Sequence, residues 1–308
     1  MVDKTVRFPH PAKIMDATKS LVPSPRAVAQ GRLCIALAAL LWSTSGAFTK
    51  VLTRDTALGL NTPPIAPLQI AFYRALFAGL VLLPALRRRD ISFRPLMLGM
   101  AGCFAIMNAT FVSALALGTA ANAILLQYTG PMWMYLASVW WLGEAPDRRS
   151  FAALWISLVG IGIIVWGGRL EAQLDIIAIA LVSGVTYAGV IVFLRVLRDA
   201  SARWLTVLNQ LVSALVLVPL IWNQPLPTAG QLGVLFVYGA GQMTIPYWLM
   251  ARSLKTISPQ EAGIISLLEP LLNPLWAYWI SGEQPSVYTV AGGAFILGAL
   301  VWRYWPRR

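Results

Sequence analysis

Apolar residues run along this chain in ten blocks of 19 to 23 residues, at 33–53, 66–86, 95–117, 120–142, 150–168, 174–195, 203–222, 231–252, 259–281 and 286–305. A helix of about 20 residues is long enough to cross the hydrocarbon layer of a bilayer, so the pattern predicts ten membrane-spanning helices. The links between blocks are short and hold turn formers: Asn61-Thr-Pro-Pro, Gly143-Glu-Ala-Pro, Gly167-Gly168 and Asn223-Gln-Pro-Leu-Pro. No link is long enough for a soluble domain. Residues 1–32 are polar, with prolines at 9, 11, 23 and 25. They read as a flexible cytoplasmic tail, and the absence of a short apolar stretch with a small-residue cleavage site argues against a signal peptide.

Composition supports this reading. Of the 308 residues 58% are hydrophobic and 12% charged, and the mean hydropathy is +0.68. Soluble domains carry about 25% charge, so a solvated globular enzyme is excluded. The net charge of +12 is dispersed between apolar runs rather than gathered in one patch, which points to phospholipid and away from nucleic acid. Lysine and arginine also set the orientation. With the N-terminus in the cytoplasm, twenty of the 24 fall on the inner side, only Arg54 and Arg169 fall in outer loops, and Lys50 and Arg74 lie within spans. Both termini are therefore expected in the cytoplasm, and the membrane is expected to be a bacterial inner membrane. Cys34 and Cys103 sit in apolar runs and read as small hydrophobes.

The two halves repeat. Gly143-Glu-Ala-Pro returns 139 residues later as Gly282-Glu-Gln-Pro, and at the same offset Pro131 meets Pro270, Ala123 meets Ala262 and Thr119 meets Ser258. Trp42 and Lys50 match Tyr187 and Arg195 at offset 145, and Gly162-Ile-Ile-Val-Trp166 matches Gly298-Ala-Leu-Val-Trp302. The repeats are delimited as 33–168 and 174–305. Each holds five spans, so the second enters the membrane from the opposite side. Such inverted repeats place a substrate site near the midplane and give two related conformations.

Ten spans in two five-helix halves, Leu41-Trp-Ser-Thr44 in the first span, and Gly-Glu after the fourth and ninth resemble the drug/metabolite transporter superfamily, and within it the EamA-type transporters. The Leu-Trp-Ser-Thr motif is similar to that of YddG-type exporters of aromatic and other amino acids. The second half departs from it, with Val185-Thr-Tyr-Ala188 at the corresponding place. The resemblance implies an all-α membrane fold and export of small metabolites through a cavity lined by the first, third, fourth, sixth, eighth and ninth helices. It implies no cofactor.

Catalytic chemistry is poorly served. The single histidine, His10, lies in the tail, so neither a Ser-His pair nor a histidine-based metal site can form in the membrane. No Gly-Lys dipeptide occurs, so no phosphate-cradling loop binds ATP. The expected partners are a small-molecule substrate, with amino acids first, and the lipid bilayer; a monomer is expected. A passive pore is the rival reading, and a membrane enzyme on lipid-linked substrates a weaker one.

Charge inside a span costs about 2.5–3.5 kcal/mol on insertion scales, so each such residue calls for a reason. Lys50, near the outer end of the first span, is expected to snorkel to the interface. Arg74 has two readings, a partner for a carbonyl or carboxylate of the protein, or a contact for a substrate carboxylate. Glu261 stands at a helix entrance, where it favours the helix dipole. Glu269 lies deepest, and beside Pro270 it either couples transport to a proton or closes the helix break. A proline inside a helix frees the carbonyl four residues earlier: Pro131 frees Gln127, Pro246 frees Gln242, Pro270 frees Ser266, and Pro274 frees Pro270. These four prolines are the expected kinks. Open carbonyls at membrane depth need protein or a wet cavity to satisfy them. The candidate substrate-binding residues are therefore Trp42, Asn108, Gln127, Tyr128, Trp133, Tyr187, Gln242, Glu269 and Asn273, and plain helix packing is the alternative for the aromatics. Trp140, Trp141, Trp204, Trp222, Trp302, Tyr304 and Trp305, near span ends, read as interfacial anchors.

Overall fold

A computed structural model describes residues 24–140, 145–197, 199–253, 256–257 and 259–305. The tail to residue 23, Trp141, Gly143, Glu144 and Ser258 lie outside the described residues. The chain forms ten spans from α1 (Pro25–Ser43) with α2 (Ser45–Thr53), α3 (Pro67–Leu82), α4 (Leu96–Leu117), α5 (Ala120–Gln127) with α6 (Gly130–Trp140), α7 (Arg148–Leu170), α8 (Leu174–Val196), α9 (Ala202–Ile221), α10 (Ala229–Val237) with α11 (Ile245–Ser253), α12 (Pro259–Ser266) with α13 (Leu268–Ser281), and α14 (Val287–Tyr304). Among the described residues, seven of the spans are long and apolar enough to cross a membrane, the first counted across its two helices. The fourth, eighth and ninth are each broken in the middle.

The breaks follow the prolines. α5 ends at Gln127 and α6 restarts at Gly130, beside Pro131. The eighth span loosens into a π-helical stretch, Tyr238–Thr244, just ahead of Pro246, and insertions of this kind commonly mark functional sites. The ninth breaks at Leu267, three residues before Pro270. The first span also breaks, at Thr44, without a proline. There Ser43 Oγ and Thr44 Oγ1 donate to the carbonyls of Leu40 and Leu41, at 2.7 and 2.6 Å, and such back-bonding competes with the helical ladder.

The first helix starts earlier than the pattern predicts. Residues 25–32, assigned to the flexible tail, are the first two turns of α1, begun by Pro25 and capped by the Ser24 hydroxyl accepting from the Ala27 amide at 3.2 Å. Their polarity places them outside the apolar block but not outside the helix.

The halves interleave. The third span packs on the sixth as the eighth packs on the first, and the fourth packs on the sixth as the ninth packs on the first. The second pairs with the seventh and the fifth with the tenth. Exchanging the halves leaves this pattern unchanged, as an inverted repeat requires. Where the fifth and tenth spans cross, a Cβ on Gly160 or on Gly292 would stand 2.5 Å from the other's carbonyl oxygen, so only glycine permits this approach. Trp140, Trp222, Trp302 and Trp305 are exposed near span ends.

Candidate functional site

The breaks in the fourth and ninth spans meet. The Tyr128 hydroxyl lies 2.7 Å from Glu269 Oε2 and 3.0 Å from the Ser266 carbonyl, which Pro270 leaves without its helical donor. A hydroxyl has one proton to give. An ionised Glu269 competes with Ser266 for it, whereas a protonated Glu269 donates to the Tyr128 oxygen and leaves the tyrosine proton for the carbonyl. The broken fourth span is braced from the other half. Gly184 of α8 brings its backbone against the Leu126 and Gln127 carbonyls, and Arg303 of α14 donates to the Pro131 carbonyl.

The eighth span brings its break to the first. Gln242 Nε2 donates to the Trp42 carbonyl at 3.0 Å, while its buried Oε1 has no partner. The Trp42 ring meets Tyr247 edge-on, with centroids 5.5 Å apart. Tyr247 and Tyr187 pack on the same apolar cluster of Phe104, Met107, Val190 and Met243, and Tyr187 also lies against Gly130 at the start of α6. Trp133, one turn along, donates its indole N–H to Thr129 Oγ1 at 2.9 Å. Trp42, Gln127, Tyr128, Trp133, Tyr187, Tyr247 and Glu269 all keep partial exposure, and a carboxylate and several aromatic rings gather at the helix breaks. Glu269 makes no ion pair among the described residues.

The sequence profile of the EamA-like transporter family matches the chain twice, over residues 29–166 and 175–305. The chain belongs to this family. It is an integral membrane transporter rather than an enzyme, with a small-molecule substrate. An uncharacterized transporter of Archaeoglobus fulgidus is 29% identical over 90% of this chain and 98% of its own length. The pseudopaline exporter CntI of Pseudomonas aeruginosa is 24% identical over 76% of this chain and 84% of its own. The transporter YwfM of Bacillus subtilis, likewise uncharacterized, is 24% identical over 90% and 94%. A solved crystal structure shares the fold with a TM-score of 0.60 at 19% identity, covering 89% of this chain and 97% of its own.

Two of the family transporter's candidate amides stand apart from the aromatic interior. Asn108 is fully buried and commits both ends of its amide: Oδ1 accepts from Arg74 Nη2 at 2.6 Å, and Nδ2 reaches the Ala71 carbonyl and Ser213 Oγ. Asn273 is also fully buried and donates to Ser45 Oγ at 2.8 Å. Arg74 fits the first of its two readings. It is 2% exposed, donates to Tyr238 OH at 3.0 Å and lies over the Tyr238 and Phe111 rings. It ties the second span to the third and eighth.

Lys50 does not snorkel. It is 0% exposed, 2.5 Å from Glu283 Oε2, and donates to the Gly118 carbonyl at 2.7 Å. Its carboxylate partner lies 233 residues away in the sequence, brought beside it by the crossing of the ninth span on the first. Glu261 pairs with Arg32 at 2.5 Å; Ser258, expected beside it, is outside the described residues. Glu283 and Tyr247 are the site residues that pattern reading passes over. Tyr247 had a signal in its position directly after Pro246, and Glu283 in the repeated Gly-Glu.

Proposed function

We propose that this transporter exports small zwitterions of the amino-acid type, aromatic ones included, across a bacterial inner membrane by alternating access. Both termini lie in the cytoplasm and the working unit is one chain with two five-span repeats. The reading rests above all on Glu269. This partly buried carboxylate, hydrogen-bonded to Tyr128 and without an ion-pair partner among the described residues, sits at the break of the ninth span, and Trp42, Tyr187 and Tyr247 sit at or against the breaks of the first, fourth and eighth. An ammonium group is attracted both to a carboxylate and to the faces of aromatic rings, the latter worth about 0.5–2 kcal/mol. The same rings suit an apolar side chain.

In this reading Trp42, Tyr128, Trp133, Tyr187 and Glu269 touch substrate and Gln242 offers a free amide oxygen. Gln127 contributes the carbonyl opened by Pro131. Asn273 and Asn108 hold the surrounding helices. Pro131, Pro246 and Pro270 keep the fourth, eighth and ninth spans open, while α13 runs on through Pro274. A relative named as an exporter supports the direction. The test is counterflow in proteoliposomes: preloaded aromatic amino acids should accelerate uptake of labelled amino acid, with saturation. Nucleotide-sugars, which need cationic contacts, should not. Unsaturable flux of all solutes would favour a pore and end the proposal.

A further inference from the structure

Glu269, Asn273, Ala277 and Ser281 follow one another at four-residue spacing, and so share one face of α13. The face begins at the aromatic interior. Asn273 and Ala277 are completely buried along it, and Ser281 lines a recess of about 280 Å³ with Arg54, Gly118, Thr119 and Glu283. The recess opens at the end of the bundle expected to face outward. Small and polar side chains thus mark a route from Glu269 to the outside.

The route is shut between Glu269 and the recess. Asn273 holds Ser45, and its Oδ1 faces Gly46 so closely that a Cβ there would overlap it and meet Ala120 Cβ at 3.0 Å. Above this level Lys50 and Glu283 join three segments. The ammonium of Lys50 pairs with Glu283 and donates to the Gly118 carbonyl, while Glu283 Oε1 accepts from the Ala120 amide at 2.5 Å. One pair therefore clamps the end of the first span, the link into the fourth and the link out of the ninth, that is, both halves of the molecule. In the sequence the repeat carries Lys50 onto Arg195 and Glu283 onto a second Gly-Glu, so these charge types belong to the repeat.

We propose that Lys50 and Glu283 form the outer latch of the transport path, holding closed the route along the α13 face, and that substrate leaves outward only when the pair separates. A fully buried lysine is costly to leave alone, because its desolvation is then uncompensated. It is cheap once the mouth opens and water reaches it. The pair therefore gives two arrangements, dry and paired or wet and apart, as a bistable element needs. The proposal rests on the transporter reading but not on the choice of substrate.

Ala277→Cys in a background with Cys34 and Cys103 changed to Ser places a reporter on the sealed face. A membrane-impermeant maleimide is then added from outside to intact cells, with no substrate needed. The reporter should be protected when Lys50 and Glu283 are present. Glu283→Gln, which keeps an acceptor for the Ala120 amide, should raise the labelling rate at least tenfold. Lys50→Gln/Glu283→Gln, which leaves no orphan charge, should raise it as well, and Lys50→Arg should keep protection. Unchanged labelling in folded Glu283→Gln and in the folded double variant would overturn the latch. Failure of both to fold would assign the pair to stability alone and overturn it too. Accelerated labelling in a protein that fails to move amino acids would leave the latch standing and remove the substrate reading.

Discussion

The Tyr128 hydroxyl in the fourth span lies 2.7 Å from the Glu269 carboxylate in the ninth, so the two broken helices, equivalent by the repeat, are joined by hydrogen bonding at their breaks. The equivalence is imperfect in a useful way. Gly130 stands where Glu269 stands in the other half, so the repeat supplies no second acid at this position.

A carboxyl that exchanges a proton with whichever side the interior faces can couple transport to a pH gradient. Glu269→Gln keeps the shape and most hydrogen bonding but cannot titrate. It should retain substrate exchange in counterflow and lose uphill movement driven by a pH gradient. A wild type indifferent to the gradient ends the coupling idea at once. A variant that behaves as wild type throughout makes the residue a brace for the break.

The aromatic walls predict selectivity. Changing Trp42, Trp133 or Tyr187 to Ala removes a stacking surface worth about 0.5–1.5 kcal/mol beyond area burial, so transport of aromatic amino acids should weaken several-fold and that of threonine less. Folded yield should fall only modestly, since each ring is partly exposed. Equal loss for all substrates, with lower thermal stability, would identify the rings as packing.

The ten spans are legible in the sequence because span length is fixed by the bilayer, and three of the four breaks are legible because a proline cannot complete the ladder. The break at Thr44 is hidden, since Ser43 and Thr44 act through bonds to nearby carbonyls that many helices tolerate. Lys50 misleads for a different reason. Near a span end snorkelling is the ordinary outcome, and Glu283 becomes its neighbour only through the inverted crossing of the halves. Asn108 misleads likewise, because its partners Arg74 and Ser213 come from the second and seventh spans.

Asn108 should therefore matter for stability and little for selectivity. Asn108→Ala leaves the Arg74 guanidinium short of an acceptor inside the bundle, and an orphaned buried polar group costs about 1–3 kcal/mol. A fall in melting temperature is expected, with the ratio of aromatic to threonine transport unchanged. A changed ratio at full stability would bring Asn108 back to the substrate.

Gly160 and Gly292 predict a second stability effect. Each lies against the other's carbonyl, so Gly160→Val must push α7 and α14 apart, and overpacking of this kind costs about 1–3 kcal/mol. Gly162, with open space at its Cβ position, is the control and should accept Ala with little change. Equal thermal stability of Gly160→Val and Gly162→Ala would show that the two helices do not meet as described.

The orientation itself is open to test, and the repeat depends on it. An odd number of spans per half inverts the second half, and ten spans return both termini to one side. A reporter active only outside the cytoplasm should work when fused after Thr56 or Gln173, which follow the first and fifth spans. It should be silent after Arg89, Arg149 or Arg252, which follow the second, fourth and eighth. The pattern discriminates because one missed or invented span reverses every later fusion while sparing the earlier ones. Discordance beginning after Arg149, for example, would locate the error in the third or fourth span and would separate Lys50 from Glu283 across the membrane, which their 2.5 Å contact forbids.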